Sequence, residues 1–238
     1  MLKNHAAQEA RKMSRSLALT PAHIARVHRD VPDTGPPPGM VLHDDADYAA
    51  WVSLIADRAP PGPLRLFAYG SLIWKPEIDH TAETPATAHG WHRRFCLRMI
   101  RFRATPDCPG LMMALDRGGS CRGVLYDLPS GDLPATLDRL FRREFTVKPI
   151  NSMPRWITVR TAQGPATALA FVMNRASPAY ARLSLPDQAA LLARACGHWG
   201  SGAEYLLNTV THLEARGIHD RGLWDLQRLV ANQIDAGS

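Results

Sequence analysis

Several kinds of chemistry are missing from this 238-residue sequence. Its four cysteines, Cys96, Cys108, Cys121 and Cys196, form no Cys-x-x-Cys pair and follow no secretory signal. That argues for free thiols in a reducing, cytoplasmic setting rather than disulfides or zinc. His89 and His92 stand three apart on an expected strand and so face opposite sides, which leaves no shared metal site between them. Gly-x-Ser-x-Gly is absent, and no His or Asp is placed by sequence to complete a triad with Ser71, so a serine hydrolase is disfavoured. Gly197-His198-Trp199-Gly200-Ser201-Gly202 lacks the preceding strand and the Lys-Ser/Thr ending of a phosphate loop, and reads as a flexible turn between helices. No stretch reaches the ~18 apolar residues of a membrane span. Met1 to Ser16 carries Lys, Arg and Ala but no apolar h-region, so neither membrane insertion nor secretion is expected.

What is present is a hydrophobic fraction of 45%, enough for a packed core, and a formal charge of +6. Lys and Arg are scattered, with only short clusters from Arg93 to Arg103 and from Arg139 to Arg143. Trp74, Trp91, Trp156, Trp199 and Trp224 are not interleaved with basic residues as in a base-stacking platform. The balance favours a basic soluble protein, or an anionic small substrate, over dedicated nucleic-acid binding.

Residues 1–62 read as a helical appendage with Pro-rich linkers. Thr20-Pro21 caps a short helix, Asp33 to Gly39 is linker, and Tyr48, Trp51, Val52 and Ile55 share one face of a helix from about Asp45 to Asp57. Residues 63–238 form the main domain. Strands are expected at Leu64 to Tyr69, Thr87 to Leu97, Leu111 to Leu115, Cys121 to Leu128, Arg155 to Arg160 and Ala166 to Met173. Asp132 caps an intervening helix whose last turn carries Glu144. Helices opened by Pro186-Asp187, Ser201 and Asp220 complete the chain. Strands, one helix, more strands and then helices give an α+β domain, without the βαβ rhythm of a parallel sheet.

The densest signal is Leu66-Phe67-Ala68-Tyr69-Gly70-Ser71-Leu72-Ile73-Trp74-Lys75-Pro76, a buried strand turning sharply into a loop. Gly70 permits close backbone approach, and the N–H groups of Gly70, Ser71 and Leu72 suit a carboxylate or an oxyanion. On pattern alone an ordinary Gly-Ser turn after a core strand is the better reading, because such tetrapeptides are frequent, and Glu144 reads as a solvated helix-end carboxylate.

The string through Pro76 resembles the ChaC family of γ-glutamylcyclotransferases. Gly90-Trp91-His92-Arg93-Arg94-Phe95, Pro109-Gly110, Arg122-Gly123-Val124-Leu125-Tyr126 and Glu204-Tyr205-Leu206-Leu207 are similar to that family in the same order. The resemblance spans about residues 64–234. It implies a γ-glutamylcyclotransferase-like fold, a small mixed β-sheet or barrel with surrounding helices. The implied reaction cleaves a γ-glutamyl compound, glutathione above all, to 5-oxoproline without metal or cofactor. It further implies Glu144 of the Arg143-Glu144 pair as the catalytic acid and base, with Tyr69, Gly70, Ser71, Leu72 and Tyr205 holding the substrate. The sequence departs from the family at Leu111, where Arg follows Pro-Gly in members, and at Phe145-Thr146-Val147 after the glutamate. The alternative is a non-enzymatic γ-glutamyl-ligand-binding or cation-transport regulatory protein. Oligomeric state is not readable from the sequence.

Overall fold

The computed structural model of the chain describes residues 16–237, and the expected helical pattern before Ser16 lies outside them. Helix α1 (Pro21–Val27) follows Thr20 with Pro at its first position, where a missing N–H costs nothing. Helix α2 (Asp45–Ala56) is capped by Asp44, whose carboxylate accepts from Asp47 N–H at 2.9 Å. Both elements agree with the sequence reading. Between them lies a two-residue strand that it missed, β1 (Val41–Leu42).

The centre of the molecule is a closed barrel. Its strands are β2 (Arg65–Ala68), β3 (Ala82–Met99), β4 (Gly110–Asp127), β6 (Ser152–Thr161) and β7 (Gly164–Met173), in the order β2-β4-β3-β6-β7, closed by the pairing of β7 with β2 and with a further pairing of β4 to β7. β2 runs antiparallel to β4 and parallel to β7, so the sheet is mixed. The α+β barrel with surrounding helices is therefore the observed class. One expectation fails: Leu111 to Leu115 and Cys121 to Leu128 are not separate strands but parts of β4. Gly118 (φ +109°) and Gly119 (φ +67°) absorb an irregularity opposite Gly90 (φ +80°) that bends the ladder without ending it.

Helix α3 is a single turn (Ser71–Trp74). Helix α4 (Leu133–Glu144) is capped by Asp132, and β5 (Val147–Lys148) follows it. Helices α5 (Leu185–Leu192), α6 (Gly202–Ala215, capped by Ser201) and α7 (Arg221–Ala236, capped by Asp220) come last. The supposed flexible turn between α5 and α6 is a small hairpin, β8 (Cys196–Gly197) against β9 (Gly200–Ser201). It is held tightly, because a Cβ at Gly197 would lie 2.3 Å from Phe102 O.

One hydrophobic cluster runs through barrel and helices and includes Leu19, Val27, Tyr48, Val52 and Ile55 from the N-terminal segment. All four cysteines are free. Among the described residues no helix is long and apolar enough to cross a membrane.

A buried cation stitches the barrel to the last helix. The Arg93 side chain is 1% exposed. Its Nε donates to Tyr69 O at 2.6 Å, Nη2 donates to Arg122 O, and Nη1 meets Asp220 Oδ2, the cap of α7, at 3.2 Å. Replacing it strands two carbonyls and a carboxylate, and breaking such a buried pair typically costs about 3–5 kcal/mol. Arg93→Met should therefore lose about 3 kcal/mol or more in urea unfolding. A loss below about 1 kcal/mol, the size of an exposed pair, would contradict this reading.

Candidate active site

β2, flanked by β4 and β7, ends at Ala68, and the chain then leaves the barrel. Tyr69 fixes that exit. Its hydroxyl donates to Phe171 O on β7 at 2.8 Å, and its carbonyl is held by Arg93. Gly70 follows at the point of closest approach, where a Cβ would lie 2.8 Å from the Met113 methyl and 3.3 Å from the Tyr205 hydroxyl. A Cβ there would push the flexible end of Met113 aside and crowd the Tyr205 hydroxyl, so the glycine expected on backbone grounds also suits the packing. Ser71 and Leu72 then open α3 instead of a loop. Tyr126 donates to Leu72 O at 3.3 Å and holds that turn from beneath.

Tyr205 projects from α6 toward the same turn. Ser71 presents both its hydroxyl and its backbone N–H to the phenolic oxygen of Tyr205. Burial first, and then the charge of Glu144, push that phenol up to about 12. The Tyr69 phenol is raised for the same two reasons in the same order. Glu144 thus acts electrostatically on both tyrosines, and the structure brings together Tyr69, Gly70, Ser71, Leu72, Tyr205 and Glu144, all of them anticipated from sequence.

Glu144 is the last residue of α4, and its side chain is 16% exposed. Burial pushes its carboxyl above the ordinary range, opposed by the charge and hydrogen bond of Arg143, and Glu77 adds a further upward push. Its place at a helix C-terminus, where the backbone dipole is negative, acts in the same upward direction. Arg143 Nε lies 3.1 Å from Glu144 Oε1, and Nη1 lies 3.1 Å from Glu77 Oε2. The same guanidinium donates to Lys75 O and Pro76 O. The end of α4 and the loop after α3 are therefore clamped by one cation. Lys75 itself is turned outward, paired with Glu77 at 3.0 Å.

The end of α4 is set from the N-terminal side. Phe145 packs among Tyr48, Trp51, Phe141 and Phe171, and Tyr48 donates to Phe145 O at 3.0 Å. β1 pairs with β5 just beyond, and His43 N–H donates to Thr146 O at 2.9 Å. Four residues of this neighbourhood were not singled out as site residues: Arg93, Arg143, Trp74 and Met113. Trp74 stands edge-on to Tyr205, 5.9 Å between ring centroids, and its buried indole N–H has no acceptor among the described residues. The adjacency of Arg143 to Glu144 was a usable signal; the partners of Arg93 and Met113, all distant in sequence, gave none.

The five-stranded mixed barrel with helices around it is shared with solved γ-glutamylcyclotransferases. A solved glutathione-specific enzyme of that kind from yeast superposes with a TM-score of 0.64 at 20% identity, covering 71% of this chain and 96% of that one. Residues 64–233 match the family described as ChaC-like protein, and the chain belongs to that family. A relative from Escherichia coli K12, named glutathione-specific gamma-glutamylcyclotransferase, is 36% identical over 195 residues, 79% of this chain and 84% of that protein. The mouse glutathione-specific gamma-glutamylcyclotransferase 1 is 28% identical over 190 residues, 76% and 81% of the two chains.

The ionisation of Glu144 can be read directly by carboxyl-carbon NMR. Its midpoint should lie above the ordinary glutamate value of about 4.3, and Arg143→Met, which removes the opposing charge, should move it higher still. Arg143→Lys should return it part of the way. A midpoint at or below the ordinary value would show that Arg143 outweighs burial.

Proposed function

We propose that the chain is a γ-glutamylcyclotransferase that converts glutathione to 5-oxoproline and Cys-Gly, with Glu144 carrying the proton. The observation that carries this reading is the buried carboxylate with its raised proton affinity, set against the Tyr205–Ser71 turn. A γ-glutamyl substrate contains its own nucleophile. Its α-amine attacks the γ-carbonyl carbon, a new C–N bond closes the five-membered lactam, and the C–N bond to cysteine breaks. Folding the glutamyl chain supplies the proximity effect, for which effective molarities reach ~10⁵ M or more.

The enzyme's remaining task is proton management. The α-ammonium must lose a proton before it attacks, and the leaving amine must gain one. Ionised Glu144 takes the first and delivers it to the second, a role typically worth roughly 10²–10⁴ in rate. The raised proton affinity suits this: a carboxylate of ordinary pKa would be a weaker base toward an ammonium. The Gly70–Leu72 backbone and the Tyr205 hydroxyl hold the glutamyl carboxylate or the oxyanion, and Tyr69 forms the wall behind them. The chemistry requires no cofactor. We place the protein in the cytoplasm, where glutathione is plentiful and thiols stay reduced.

The reacting groups all come from residues 63–238, and the described part of the N-terminal segment, residues 16–62, serves as a support that sets the end of α4. Leu19, Val27 and the Arg26–Asp235 pair at 2.6 Å tie the support to the last helix.

Incubation with glutathione should release equal amounts of 5-oxoproline and Cys-Gly. Glu144→Gln should lower kcat by at least about 10²-fold without lowering the melting temperature. A chain lacking residues 1–40 should melt earlier yet keep its turnover. Undiminished kcat in Glu144→Gln would overturn the mechanism; no turnover of any γ-glutamyl compound by the parent protein would favour a binding or regulatory role.

A further inference from the structure

A cleft of about 300 Å³ opens at the barrel where β4, β6 and β7 meet, and Arg117, Arg155 and Arg175 converge on it. None of its lining residues belongs to the Glu144 constellation. The closest link is through β4: Arg117 lies four residues beyond Met113, whose methyl abuts Gly70.

The three guanidiniums differ in how they are held. Arg175 is anchored. Its Nε donates to Asp116 Oδ1 at 2.6 Å and Nη2 donates to Arg117 O at 2.9 Å, so the fork is fixed with Nη1 unused among the described residues. Asp116 is fully buried and is held in turn by Tyr180 Oη at 3.1 Å and Arg117 N–H at 2.9 Å. A buried carboxylate with three donors is a rigid footing for an exposed arginine. Arg117 lies over the Trp91 ring, 5.9 Å from its centroid, and takes part in no ion pair among the described residues. Arg155, on β6 opposite Ala170, likewise meets no carboxylate among the described residues. Three positive charges thus face one negative charge that is already used by Arg175.

Two excess charges on guanidinium forks match a dianionic tetrahedral group, which accepts from several forks at once. Met153, Val172 and Met173 add an apolar wall beside them. We propose that this cleft is a second binding site, for the phosphate or diphosphate of a small organic phosphate whose apolar part rests on Met153 and Met173. Asn174 spends one amide hydrogen on Ile150 O at 2.9 Å and its Oδ1 on Ala176 N–H at 3.1 Å, which leaves one amide hydrogen. The charge that recognises the ligand comes from the arginines. The site is independent of the proposed cyclotransfer.

Calorimetric titration with pyrophosphate, and separately with adenosine monophosphate, tests this in the full-length protein. Both should bind saturably at one site. Arg117→Ala and Arg155→Ala should each weaken binding by about tenfold or more, the loss expected for one charge-assisted hydrogen bond. Both positions are exposed, so the variants should melt as the parent does and keep its glutathione turnover. Glu144→Gln should bind pyrophosphate as tightly as the parent, since the two sites share no residue. Absence of saturable binding, unchanged affinity in the double arginine variant, or citrate binding as tightly as pyrophosphate would overturn the assignment. Loss of pyrophosphate binding in Glu144→Gln would overturn the independence of the two sites.

Discussion

The structure of the reacting end depends on one guanidinium. Arg143 bonds the backbone of Lys75 and Pro76, the carboxylate of Glu77 and the carboxylate of Glu144, and so joins the loop after the Gly-Ser turn to the end of α4. Without that clamp, two elements far apart in sequence would be joined only by general packing. The same contact sets the proton affinity of Glu144. Burial drives the carboxylate toward its neutral form, and the charge and hydrogen bond of Arg143 oppose that shift.

Around this clamp the fold is arranged in supporting rings. Arg93 holds the carbonyl of Tyr69, and the Tyr69 hydroxyl holds β7, so the exit of β2 is fixed on both sides. The aromatic cluster of Tyr48, Trp51, Phe141, Phe145 and Phe171 fixes the end of α4. Glu77 takes a positive φ of 51° beside Arg143, a conformation that side chains adopt reluctantly. It is tolerated where its carboxylate meets both Lys75 and Arg143.

Local signals in the sequence carried far. Asp132, Ser201 and Asp220 cap the helices they were expected to cap, and Glu144 falls in the last turn of its helix. The barrel class and the family followed from the Tyr69–Pro76 string and its companions. What stayed hidden is non-local. Two glycines inside β4 read as a break because turn chemistry and bulge chemistry use the same residue. The pairing of Val41-Leu42 with Val147-Lys148 joins segments too short to show periodicity. Nothing in the run of residues near Arg93 announces that its partners lie at 69, 122 and 220.

In the proposed mechanism residue 144 and the Gly70–Leu72 turn face the same glutamyl group. A crystal structure of Glu144→Gln soaked with glutathione tests it most directly. The account predicts the substrate α-nitrogen within hydrogen-bond reach, roughly 2.6–3.2 Å, of the residue 144 side chain, with a glutamyl oxygen on the turn. Glutathione bound with its glutamyl α-nitrogen turned away from residue 144, or bound outside the turn, would contradict it.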